Sequence, residues 1–468
     1  WCVVPAWSAE PLSRSQPSDN ATGSVDTARD ALVAEAVKGK FTPKVIELYY
    51  RYAEQCARAA APGDKVTDDF WKWFASKRFI REGMLAGMDC SRAGRTIACL
   101  VELRSEFKGD VDRYGQLAIA FALAYGRAGD ESIRQWDWVA KGRPAPGMIE
   151  SFRYYLTHKG QMLFPLQTTP WPLLVHVADI DVPIAERKWV LSKYRGRSIK
   201  SLKQIHSDPR YLYVGGGVGK MTEKAAVPFA LNQILQDGGV CSQKAYYAAS
   251  VLKSLGVPAF RLVGEAHAWE GWALPGKRNQ YTMAYGPSAG RLRGSMKCPL
   301  KRISVQQHEV EMRAAAMSES YAGYLMARIA AAAYAFVPKD QRAQASGLLW
   351  SALSRNGHCV EVWRHLTQAC LDGVIPDTQA NKFYPLAVRT LADQPQMTYE
   401  IFATLIAPKL RATKNADKGV ISRTIGAIEQ EISRYDRLGR NDLGVLLRNM
   451  LGSYVATVKG PAALCEQY

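Results

Sequence analysis

Cys241 is the residue of this chain best placed to do chemistry. Two glycines, Gly238 and Gly239, break the backbone just before it. Ala245, Ala248, Ala249, Leu252 and Leu255 then recur on one helical face until Gly256 and Pro258 stop the run. The spacing therefore predicts a helix whose N-terminus carries Cys241. Unpaired N–H groups and the helix dipole at such a start stabilise a thiolate and lower a thiol pKa, and the thiolate is the form in which cysteine attacks. Downstream, Ala266-His-Ala-Trp-Glu-Gly-Trp-Ala-Leu274 alternates as a strand does, with His267, Trp269, Gly271 and Ala273 on one face. With the strand-like run Ala259-Phe-Arg-Leu-Val263 between them, a helix–strand–strand unit of this length folds the His-bearing strand back beside the helix start. There His267 would serve as general base to Cys241 and general acid to the leaving group.

These residues sit in the middle of a three-part pattern. Residues 1–24 read as a Ser/Pro/Asn-rich flexible lead-in, and Trp1 to Ala9, apolar and ending in small residues, reads as a signal-peptide remnant. Residues 25–144 read as a helical domain: Val45, Leu48, Tyr49 and Tyr52 recur at helical spacing, Asp68-Asp69 opens a helix with acids at its positive end, and Tyr114 to Tyr125 is a nearly all-apolar, buried helix. Residues 145–304 hold more Pro and Gly with short β-branched or aromatic runs, and residues 305–468 return to helical patterns, clearest over 317–336 and 347–371.

The block around Cys241 resembles the transglutaminase-like cysteine proteins, relatives of the papain type. It carries Gly239-Val-Cys241, a small-residue helix, Gly256-Val-Pro-Ala259, a strand, and His267-Ala-Trp269, in that order and at that spacing. The resemblance covers about 50 residues. It implies an α+β chain with a central transglutaminase-like (papain-type) domain between helical N- and C-terminal domains, and acyl transfer on amides through a Cys241 thioester with His267. The family places an Asp on the next strand to orient the His. Here Tyr285 falls at that position, and Asn279, earlier in the chain, is the amide alternative. The backbone N–H of Cys241 is a natural oxyanion donor, with Gln236 as a second candidate.

Other motifs fail on inspection. Gly215-Gly-Gly-Val-Gly-Lys220 lacks the Gly of a phosphate loop, since Val214 stands there, and Met221 replaces the Mg²⁺-binding hydroxyl. The seven histidines include no HExxH, and no acidic loop suits calcium. No cofactor and no metal are expected. Lys plus Arg number 61 against 43 Asp plus Glu, a net +18, which favours anionic company without choosing it. The densest basic runs, Arg187 to Lys203 and Gly271 to His308, fall essentially within 145–304 and match no nucleic-acid motif. The expected partner is a protein or peptide substrate, acidic or at a cell surface, rather than a specific nucleic acid. Nine cysteines without a CxxC pair exclude a dense disulfide framework or zinc ribbon. No run of 18 uninterrupted apolar residues occurs, so no transmembrane anchor is expected. The expected location is extracytoplasmic or secreted, with the cytoplasm as the alternative. Two functions follow: a thiol peptidase, amidase or acyltransferase, or a non-catalytic module for binding or assembly.

Overall fold

A computed structural model describes residues 19–63, 65–128, 145–212, 230–263, 268–275, 281–285, 295–297, 302–304, 321–392, 394–412 and 418–459. Most of these residues lie in helices and only a small share in strands. The expected α+β architecture, a papain-type domain set between helical flanks, is therefore corrected to a mainly helical chain. The reason lies in 145–257. Its short apolar runs carry no period that separates a buried strand from a buried helix, and those among the described residues fold as helices. Trp171-Pro-Leu-Leu-Val-His-Val-Ala178 is one of them: Pro172 sits in its first turn, where a missing N–H costs nothing, and every residue of the run is buried.

The chain divides into two compact units, Trp1–Leu32 with Pro43–Leu325, and Val33–Thr42 with Met326–Tyr468. The helix Asp19–Ala36 (α1) begins inside the stretch expected as lead-in. The first unit continues with Pro43–Ala60 (α2), Asp68–Ser76 (α3), Arg78–Gly87 (α4), Ala93–Phe107 (α5), Gly109–Arg113 (α6), Gly115–Ala128 (α7), Met148–Thr157 (α8), Trp171–Ala178 (α9), Ile184–Lys193 (α10), Leu231–Asp237 (α11) and Cys241–Ser254 (α12). Helix α7 is its core: Leu117, Ile119, Phe121 and Leu123 are all at most 2% exposed, so it is buried on every side, as its continuous apolar sequence requires. Thr67 caps α3 by accepting from the Phe70 N–H at 3.3 Å, and Asp68 and Asp69 occupy the first turn.

Five short strands follow α12: Ala259–Val263 (β1), Ala268–Pro275 (β2), Tyr281–Tyr285 (β3), Ser295–Lys297 (β4) and Arg302–Ser304 (β5). They form one antiparallel sheet in the order β3-β2-β1-β4-β5. Register pairs Val263 with Ala268 and Arg261 with Glu270 across β1 and β2, and Gly271 with Tyr285 across β2 and β3.

The second unit is helical throughout its described residues, with Tyr321–Phe336 (α13) leading into it, then Arg342–Ala345 (α14), Gly347–Arg355 (α15), Val360–Leu371 (α16), Asp377–Thr390 (α17), Pro395–Ala412 (α18), Lys418–Arg437 (α19) and Asn441–Lys459 (α20). Ile428, Tyr435, Leu443 and Leu447 form the seam of the α19–α20 hairpin. Within α16, burial pushes His365 down to about 4, with Arg342 and Arg364 acting the same way and Glu361 against them. The folded form thus refuses a proton that the unfolded chain accepts below its ordinary 6.5. Its stabilising effect is complete above that value and is lost as pH falls towards 4, by about 3 kcal/mol. Thermal melts across this window should show a fall in Tm that His365→Phe flattens, since the ring keeps its edge contact with Tyr334.

Candidate functional site

Cys241 is the first residue of α12 and is half-exposed. Val240, in extended conformation, is the N-cap, and its N–H donates to Gln243 Oε1 at 2.7 Å. A glutamine three residues into the helix thus folds back to lock the start. Upstream, Gly238 ends α11 at φ +87° and ψ −174°, a region open essentially to glycine. A Cβ there would also stand 2.5 Å from the Arg210 carbonyl oxygen. That carbonyl accepts from the Gly239 N–H at 2.9 Å, and the Leu212 N–H donates back to the Gly239 carbonyl at 3.1 Å. The turn before Cys241 is held from both sides.

The far end of α12 is held as firmly. Tyr154 and Tyr155 of α8 donate their hydroxyls to the carbonyls of Ser254 and Lys253 at 2.8 and 3.0 Å, satisfying two of the acceptors a helix end leaves open. Lys253 Nζ, buried, donates to the Asp179 carboxylate. The chain then reverses at Gly256 into β1, so β1 runs back along the helix. Fourteen residues of helix span about 20 Å, and both β1 and β2 pack against it.

His267 and Asn279 lie outside the described residues, as does the glycine loop Val214 to Lys220. Tyr285 ends β3, its backbone opposite Gly271. Gln236 is exposed on α11. The structure does show which face of β2 meets α12. Arg261 lies over the Tyr246 ring of α12, 4.9 Å from its centroid, and Glu270 acts on Lys244 of the same helix. Phe260, opposite Gly271, instead meets the His176 ring of α9 at 5.5 Å. Glu270 is therefore on the α12 side, and Gly271 is on the other.

Against α12 lies a buried polar cluster that the sequence pattern missed. His206, in the 3-10 segment Ser201–Ser207, has its Nδ1 2.7 Å from Glu270 Oε2, and the two residues are 5% and 0% exposed. Glu270 Oε1 is buried with no hydrogen-bond partner among the described residues. Lys244, one helical turn after Cys241 on the same side, places Nζ 5.2 Å from the centroid of the Tyr211 ring. Burial pushes its ammonium down, and Glu270 pulls it back up. Alongside, Tyr194 shares its hydroxyl between Tyr247 and Asp208, the latter at 2.8 Å. A carboxylate that grips one imidazole nitrogen fixes the ring's orientation and tautomer, which is what an acid–base histidine needs. The available signal was Glu270 itself, a charge inside an otherwise apolar strand, and Lys244, a charge inside a helix of small and aromatic residues.

No protein-family model, curated protein or solved structure matches this chain. Among the described residues no helix is long and apolar enough to cross a membrane, and no three His, Cys, Asp or Glu side chains converge as a metal site.

Proposed function

We propose that the chain is a thiol enzyme that cleaves or transfers acyl groups at peptide or amide bonds, with Cys241 as nucleophile and His267 as acid and base. The observation that carries this is a half-exposed thiol at the first position of a helix whose start and end are both fixed. The likeness of Gly239-Val-Cys241 and His267-Ala-Trp269 to the transglutaminase-like cysteine proteins supports it. In the reaction, Cys241 Sγ attacks the carbonyl carbon while the imidazole takes the thiol proton. The tetrahedral oxyanion is met by backbone N–H groups of the helix start. Collapse expels the amine, which leaves with the imidazole's proton, and a thioester remains. Water or a second amine resolves it, restoring the thiol. The net charge of +18 favours an acidic protein or peptide as substrate.

The other reading, a non-catalytic binding or assembly module, is favoured by two features: Tyr285 stands where the resemblance places an Asp, and Gly271, which period-two alternation groups with His267, faces away from α12. Iodoacetamide labelling near neutral pH separates the two. Under the enzyme reading Cys241 is alkylated at least about tenfold faster than Cys99, Cys359 or Cys370. Removing its base slows that rate, so parallel His267→Ala and His206→Ala variants show which imidazole serves. Labelling of Cys241 no faster than the other thiols, and indifferent to both variants, establishes the module instead.

A further inference from the structure

Away from this site, two other cysteines meet. Cys56 lies on α2 and is 7% exposed, while Cys90, partly exposed, opens the 3-10 turn Cys90–Arg92 that leads into α5. Each stands four residues before a backbone contact between the same two elements. Ala60 and Gly94 approach so closely that a Cβ on Gly94 would lie 1.9 Å from the Ala60 carbonyl oxygen. One turn back from that contact, α2 packs against the 3-10 turn that holds Cys90, and the Cys56, Cys90 and Tyr52 side chains lie within reach of one another.

We infer that Cys56 and Cys90 are a disulfide-forming pair, closed by a small-molecule disulfide of the glutathione type and stapling α2 to the start of α5. One protein thiolate attacks a sulfur of the oxidant and expels one thiol, giving a mixed disulfide. The neighbouring thiolate then attacks the protein sulfur of that bond and expels the second thiol. Two protein thiols lose two protons and two electrons in all, and the oxidant is reduced to two thiols. Proximity favours the second step over capture by a distant cysteine, because the resolving sulfur is already in place. The staple constrains the unfolded chain between residues 56 and 90, which stabilises the native unit.

The test uses the full chain. It is incubated with oxidised glutathione, its remaining thiols are alkylated with iodoacetamide, and it is digested with trypsin. The expected product joins the peptide Tyr52–Arg58 to the peptide Glu82–Arg92, lighter than the two reduced peptides by two hydrogens and separated again by a dithiol. The oxidised chain should melt about 5–10 °C above the reduced one. Recovery of Cys56 and Cys90 as alkylated peptides, or either joined to another cysteine, overturns the pairing. A cross-link that leaves Tm unchanged overturns the staple.

Discussion

Cys241→Ala lowers amide turnover by at least about 10³-fold and leaves Tm within about 2 °C of the parent. The first half follows from the chemistry. No other group at the helix start supplies a thiol, and removing a nucleophile from a concerted set costs nearly what removing the whole set costs. The second half follows from the packing. Cys241 is half-exposed, and the helix start is locked by the Val240 N–H and Gln243, neither of which needs the cysteine side chain. The assay is amine release from a library of peptide amides weighted towards acidic sequences, run beside Cys370→Ala as a control. Cys370 sits on α16, remote in sequence from this helix, and its thiol is pushed up to about 11 by burial, so its loss leaves turnover unchanged. A Cys241→Ala protein that still turns over at the parental rate defeats the thiol mechanism. A folded chain with no turnover before or after substitution points to the binding module.

What the sequence made legible was local. The helix with Cys241 at its first position, the strand from Ala259, and the alternating run that became β2 all depend on neighbours within about four residues, where periodicity and Gly/Pro punctuation speak directly. The buried helix near Tyr114 to Tyr125 was legible for the same reason, since a run apolar on every side has nowhere to sit but a core. What failed was the layer count. A run such as Trp171 to Ala178 is equally suited to a buried strand or a buried helix, and Pro172 in the first turn was the discriminating mark. The polar cluster was illegible on different grounds. His206 and Glu270 are 64 residues apart, and a histidine taken alone gives no sign that a carboxylate waits for it across the fold. Charge in an apolar strand was the clue, because burying Glu270 without partners would be prohibitive.

Asp179→Ala lowers stability by about 3 kcal/mol, a larger effect than any surface substitution should produce. Lys253 and Asp179 are each 3% exposed, and Asp179 is the carboxylate that receives the Lys253 ammonium. Burial pushes that ammonium down, the Asp179 charge and hydrogen bond oppose it, and Asp181 helps from farther off while Arg261 works against it. Without Asp179 the lysine must either keep an uncompensated charge in the interior or shed its proton, and both cost free energy. The help from Asp181 is the reason to expect the lower end of the range for a broken buried pair. Pairing Asp179→Leu with Lys253→Met removes both charges, so the double variant should be more stable than Asp179→Ala alone. Urea unfolding followed by far-UV circular dichroism measures all three midpoints. A loss below about 1 kcal/mol in Asp179→Ala would show that the pair does not hold the helix end. The consequence reaches the thiol as well. Lys253 sits in the last turn of the helix that Cys241 begins, so a loosened end lets the whole rod shift against β1 and β2. Cys241 labelling in Asp179→Ala should therefore slow, while the double variant, with its apolar contact restored, recovers the parental rate.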